Sequence, residues 1–331
     1  MSNATAYVER VVMPLIAEQH PRAAAEMRLV LIGSHVMGLD DEHSDLDAIL
    51  YLGDEMWAAE GARLQLLLLH IPERFDAQLI CSESPGHPED WHIRGHPEIC
   101  VLPRSWLLDG KAERILAQQD DVAWEDITFE SLHTLHYESL VLRDSDDVIA
   151  RLRKATLPER HPEWLWQKRL ITTLARMKGM PAELDLAVRR HALVEAQILL
   201  GTLLGDLLKV GFLMCRQYHP YAKRLRWEYG RLPLPPDLPA LIDVVAASAD
   251  WREKVEAEHR ALGRYTDIIL EQRLLGPEVL EYLSPAHGYG AWSDPDWLSR
   301  VREQERAAKQ AGYPAADRWV WSLWGEVRRE K

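Results

Sequence analysis

The sequence predicts an α+β chain in two parts: a mixed-sheet domain over residues 1–150 and a mostly helical domain over residues 151–331. Three observations carry this reading. Short apolar runs rich in branched residues, separated by polar loops, fill the first part; Arg28–Ile32 and Leu46–Leu52 are the clearest. From about Asp147 onward, long periodic apolar segments replace them. The chain is 331 residues long with 47% apolar content, enough to bury two cores without disulfides or structural metal.

Residues 7–26 have a helical pattern ending near His20-Pro21. Arg28–Ile32 reads as a buried strand stopped by Gly33, and Leu46–Leu52 as a second, closed by Gly53-Asp54. A polar loop with Gly38, Asp40, Asp41 and Glu42 joins them. Glu55–His70 is helical in pattern and Pro72 follows it. Arg74–Cys81 reads as a third strand, and residues 82–97, rich in Pro, Gly and His, as loop. Glu98–Leu102 and Ser139–Arg143 complete the strands. In the helical half, Pro233–Pro239 is the clearest break.

The formal net charge of −13 repels a phosphate backbone, which disfavours nucleic acid as a partner. Basic clusters are short, as at Lys223-Arg224 and Arg328-Arg329. Cys81, Cys100 and Cys215 form no CxxC spacing, so neither a disulfide framework nor a zinc knuckle is indicated. Met1–Arg10 lacks the apolar run of a signal peptide. Ala196–Cys215 is the longest apolar stretch, but it carries Asp206 and Lys209 and reads as a buried helix, not a membrane span. The expectation is a cytoplasmic protein.

The chemistry concentrates between the first two strands. Asp45 and Asp47 stand two apart at a strand start, so both carboxylates point to one face. Carboxylates forced together repel unless cations neutralise them, and magnesium, a hard ion that bridges carboxylates to phosphates, is the natural partner. Gly33-Ser34 ends the preceding strand, where a glycine lets backbone amides and a hydroxyl approach a phosphate. Ten residues separate Ser34 from Asp45, enough to return the chain to the same sheet edge. This set suits nucleotidyl transfer. A third carboxylate is wanted, and Asp76, on the strand predicted at Arg74–Cys81, is the candidate. Its other reading is a strand-edge acid facing water.

Gly33-Ser34, the ten-residue gap and Asp45-Leu46-Asp47 together resemble the signature of the DNA-polymerase-beta-like nucleotidyltransferase superfamily, which includes the antibiotic nucleotidyltransferases. The resemblance implies phosphate or nucleotide binding by Gly33, Ser34 and Ser44. It implies metal binding and catalysis by Asp45, Asp47 and Asp76, with magnesium, two ions, and ATP or another nucleoside triphosphate. Downstream, Tyr218-His-Pro-Tyr-Ala-Lys223 followed by Leu232-Pro233 resembles a segment of an uncharacterised bacterial family with such a domain and a helical C-terminal half. By analogy with the antibiotic-modifying enzymes, Lys223 would bind the triphosphate.

Other signals weigh less. His87, His92 and His96 match no zinc spacing. Glu138 and Glu195 could serve as bases, but a helix-surface acid or a core ion pair explains such residues more simply. The chain has 13 tryptophans, many after residue 160, and helix packing accounts for most of them. No Gly-Lys-Ser/Thr follows Gly33-x-x-x-x-Gly38, so this is not a P-loop. The reading is an enzyme that moves AMP from ATP to a hydroxyl of a small molecule. An acidic cleft would suit a cationic, aminoglycoside-like acceptor. The alternatives are a protein-modifying nucleotidyltransferase of the toxin–antitoxin kind and a degenerate nucleotide-binding scaffold. The intact Asp45/Asp47 pair argues against the scaffold.

Overall fold

A computed structural model describes residues 3–40, 44, 46–71, 98–117, 122–177 and 180–275. It has α+β architecture, and the chain divides into two compact units, Met1–Leu157 and Pro158–Lys331.

The first unit is built on a four-stranded mixed sheet. Helical segments Asn3–Tyr7, Val8–Val12 and α1 (Met13–Gln19) run one into the next. His20 leaves helical geometry at φ −133°, and Pro21, which needs no amide partner, opens α2 (Pro21–Glu26). β1 (Arg28–Ile32) lies inside the sheet, antiparallel both to β2 (Asp47–Leu52) and to β4 (Ser139–Asp144). β3 (Glu98–Pro103) runs parallel to β2, giving the order β3-β2-β1-β4.

Alternation sorts the two sheet faces. Leu29, Leu31, Ala48, Leu50, Leu52, Ile99 and Val101 join one buried cluster with Leu15 and Ile16 of α1 and with Leu64 and Leu68 of α3 (Ala62–Leu69). The residues between them on β2, Asp47, Ile49 and Tyr51, are only half-buried. β3 is an edge strand among the described residues, and side chains satisfy its backbone. The Gln65 amide donates to the Ile99 carbonyl (2.9 Å) and accepts from the Val101 amide (2.8 Å), and the Trp57 indole donates to the Val101 carbonyl (3.1 Å).

β4 is tied in by charge. Arg28, buried in β1, grips Asp146 with two hydrogen bonds (2.7 and 2.6 Å), and Arg104 adds a third (3.0 Å). The Arg28 hydrogen bond holds the Asp146 carboxyl below its ordinary range. Asp144 caps α5 (Val148–Ala155) by accepting from the amides of Ile149 and Ala150 (2.9 and 3.0 Å). From α5, Arg153 donates to the Leu135 carbonyl (2.9 Å), at the end of α4 (Phe129–Tyr137), and to the Ser139 hydroxyl (2.9 Å). These bonds carry the first unit on to Leu157, beyond the change of sequence character near residue 150.

The second unit is helical among its described residues: α6 (Glu163–Met177), α7 (Met180–Arg189), α8 (Leu193–Met214), α9 (Ala222–Tyr229), α10 (Asp237–Ala247) and α11 (Trp251–Glu271). α8 packs against α6, α7, α9, α10 and α11. By length and composition it could cross a membrane, with mean hydropathy 1.5, yet 56% of that window is buried inside the protein. Asp206, buried within it, receives two hydrogen bonds from Arg176 (3.1 and 2.7 Å). Gly211 is required by packing, because a β-carbon there would run into the Tyr229 ring. Tyr229 and Tyr265 share a hydroxyl–hydroxyl bond (2.6 Å), and Tyr265 donates to the Leu207 carbonyl (2.8 Å). Lys254 points its ammonium at the carbonyls of Val245 and Ala246 (3.1 and 2.9 Å), at the end of α10 where cations are favoured.

One residue strains this unit. Glu258 is fully buried on α11, and both its carboxylate oxygens lack a hydrogen-bond partner among the described residues. His259 offers only a 3.6 Å contact. Burial pushes the Glu258 carboxyl up to about 8. The stabilising contribution of the neutral acid is therefore complete below the ordinary value of 4.5 and lost as pH rises through about 8. We predict that stability in urea falls between pH 5 and pH 9 in the native protein. Glu258→Gln should flatten this slope and be the more stable by at least about 1 kcal/mol at pH 9. Parallel pH curves for the two proteins would contradict the assignment.

Candidate functional site

The site forms where β1 ends and β2 and β3 begin. Ile32 pairs with Asp47 across the antiparallel ladder, and Asp47 pairs with Glu98 across the parallel one. Paired residues project to the same face, so Ile32, Asp47 and Glu98 form a row at one end of the half-open face. Strands in a sheet lie about 4.8 Å apart, so Glu98 and Asp47 are side-by-side neighbours at that end of the face.

Gly33 fixes the position of Asp47. The strand cannot continue past Ile32, because Gly33 takes φ 87° and ψ −151°, a conformation open in practice to glycine alone. Its amide donates to the Glu138 carbonyl (3.1 Å), which anchors the bend to the start of β4. A β-carbon on residue 33 would sit 2.7 Å from Asp47 Oδ2, closer than atoms pack. The backbone at Gly33 and the Asp47 carboxylate thus occupy adjoining space that no other residue at position 33 would leave open.

Past the bend, Ser34–Met37 makes one helical turn, closed by Gly38 in the left-handed region at φ 66°. Val36 packs back against the core of the unit. His35 Nδ1 lies 3.3 Å from Asp40 Oδ2, joining the two sides of the turn. Ser34 and Ser44 are half-buried.

The structure brings Gly33, Ser34 and Asp47 together. Asp45 and Asp76 lie outside the described residues, as do the strand predicted at Arg74–Cys81 and the loop at 82–97. Lys223 lies in the second unit, exposed in the first turn of α9. Glu195 is exposed in the first turn of α8, a helix-surface acid. The Glu138 side chain is buried beside His133, with 3.4 Å between Oε1 and Nδ1, while its carbonyl serves Gly33. Glu98 was not singled out from the sequence. Its place at the first position of a predicted strand was legible, but its alignment with Asp47 depends on strand pairing that sequence does not reveal.

Residues 124–227 match a domain of unknown function, DUF4037, over a span that includes Lys223. No curated protein is significantly similar to the chain. Among solved structures, it is similar to a nucleotidyltransferase-like protein from Exiguobacterium sibiricum 255-15. The identity is 11%, over 82% of this chain and 78% of that one, with a TM-score of 0.39.

The contact at Gly33 is open to test. Gly33→Ala should destabilise the protein by about 1–3 kcal/mol in urea denaturation. Part of that cost is the collision with Asp47, so Gly33→Ala combined with Asp47→Ala should lose less than the sum of the single variants. Strictly additive losses would show that the two groups do not meet.

Proposed function

We propose that the chain is a metal-dependent nucleotidyltransferase, and that the row at the ends of β1, β2 and β3 is its reaction centre. The observation that carries this reading is the contact between the Gly33 backbone and the Asp47 carboxylate. It sets a carboxylate that can hold the counter-ion of phosphate oxygens directly against a bare stretch of backbone at the end of β1. Donor chemistry fits magnesium: Asp47, with Asp45 two residues before it, offers hard oxygen ligands, and Glu98 is the neighbouring carboxylate on β3. When bound, the metal would supply positive charge where negative charge gathers on phosphorus and on departing pyrophosphate.

The remaining roles belong to the chain. Ser34 would hold the phosphate tail through its own amide and hydroxyl, beside the bare backbone of Gly33, whose amide is engaged by the Glu138 carbonyl, and joined by Ser44. The bond that forms joins the acceptor's hydroxyl oxygen to the α-phosphorus, and the bond that breaks releases pyrophosphate. Glu98 or Asp76 would orient the attacking hydroxyl and take its proton. Lys223 would bind the triphosphate. It is exposed and has no hydrogen bond or ion pair among the described residues, as a residue kept for an anionic ligand should be. ATP is the proposed donor and a small molecule the proposed acceptor. A chain of net charge −13 favours a cationic one.

The test is transfer of label from α-labelled ATP, with magnesium, to a panel of hydroxylated small molecules, scored beside pyrophosphate release. Native protein should transfer label. Asp47→Asn, which keeps shape and removes charge, should melt like the native protein and lose about 10²–10³-fold in turnover. An Asp47→Asn variant with undiminished activity would refute this centre.

A further inference from the structure

α8 is covered unevenly. From Leu203 onward most of its residues are buried, but among its first ten only Ala196 and Leu200 are. The uncovered positions fall on one stripe. Val194, Ile198, Gly201, Gly205 and Lys209 recur at three- and four-residue steps, with Thr202 beside them, and none is buried. Val194 and Ile198 are 71% and 65% exposed, the highest values among the large apolar residues described. Apolar side chains left this open together on one helix face mark a surface that another surface covers.

The two glycines on this stripe differ from Gly211, further along the helix, which the Tyr229 ring requires. At Gly201 and at Gly205 an added β-carbon would meet nothing within 4 Å among the described residues, and neither glycine has a positive φ. Glycine inside a helix costs stability relative to alanine. Two of them, four residues apart, where neither packing nor backbone geometry calls for them, cut a notch into the outer surface of α8. Small residues at a helix crossing let two backbones approach closely, and the β-branched Val194, Ile198 and Thr202 beside the notch are stiff enough to fit against it.

We propose that this stripe is a dimer interface, on which α8 of a second copy of the chain packs antiparallel. The stripe complements itself. It carries a knob, Ile198, and a hole, Gly205, seven residues apart, and an acid, Glu195, and a base, Lys209, fourteen apart. The third charged residue of α8, Asp206, is already held by Arg176. A two-fold axis crossing α8 near Gly201 and Thr202 places Ile198 over the partner's Gly205 and Glu195 opposite the partner's Lys209, and both contacts recur in reverse. Such reciprocal matching is what a closed two-fold dimer requires of a single patch. An unrelated partner, or a lipid surface, would need neither the balanced charges nor the paired knob and hole. The pairing uses the helical unit alone, and a single helix pair is a small interface, so the dimer should dissociate on dilution.

Sedimentation of the full chain over a range of concentrations tests this. The native protein should rise from the mass of one chain toward that of two as concentration increases. Ile198→Lys, a change on an exposed side chain, should weaken the dimer about thirtyfold or more. Gly205→Leu is the more telling variant. It fills the notch in open space and removes a helix glycine, so it should melt no lower than the native protein and yet weaken the dimer to a similar extent. Glu195→Lys should weaken it less, by about tenfold, and Glu195→Lys combined with Lys209→Glu should recover part of that loss. A native mass of one chain at every soluble concentration would overturn the proposal, whether or not the protein then bound lipid vesicles or another protein. So would a dimer that persists with native affinity in Ile198→Lys, since its interface would lie elsewhere.

Discussion

The contact between Gly33 and Asp47 is the constraint on which the site depends. Asp47 Oδ2 sits against the place where any β-carbon at position 33 would go. The backbone of Gly33 takes a conformation closed to other residues, and its amide is fixed to the Glu138 carbonyl. Each of these facts needs the others. The bend lets the chain leave the sheet, the missing side chain gives the carboxylate its place, and the hydrogen bond to the start of β4 keeps the bend from relaxing into the strand.

The sheet around this contact is arranged to hold it still. β1 is paired on both sides, and its Leu29, Val30 and Leu31 are all buried, so the strand that delivers Gly33 has little freedom to move. The β3 edge is closed by Gln65 and Trp57. The turn after β4 is pinned by Asp146 between Arg28 and Arg104. Rigid elements position side chains better than loops do, and in the candidate site Asp47 and Glu98 stand at strand starts, with Gly33 just past a strand end.

Much of this was legible in the sequence, for reasons particular to each element. Arg28–Ile32 declared itself by branched residues and a terminal glycine, and β2, β3 and β4 by short apolar runs. The long helix that became α8 declared itself by its apolar length. The break expected over Pro233–Pro239 is narrower than the prolines suggest. α10 starts at Asp237, with Pro239 in its first turn, where a missing amide costs nothing. What sequence could not give was non-local. The pairing of Glu98 with Asp47 and the reach of Gln65 to the β3 backbone each depend on which segments meet in space. The compact first unit outruns the change in sequence pattern because Asp144 and Arg153 tie α5 to the sheet through single side chains that periodicity does not register.

The central claim is that Asp47, in the space Gly33 leaves, holds the divalent cation of a bound nucleotide. Electron paramagnetic resonance of manganese, standing in for magnesium, tests this without knowledge of the acceptor. Native protein should take up manganese together with ATP and change the free-ion spectrum. Asp47→Asn, folded as judged by its melt, should leave that spectrum unchanged at the same concentrations. Equal uptake of the manganese–ATP complex by the two proteins would contradict the account.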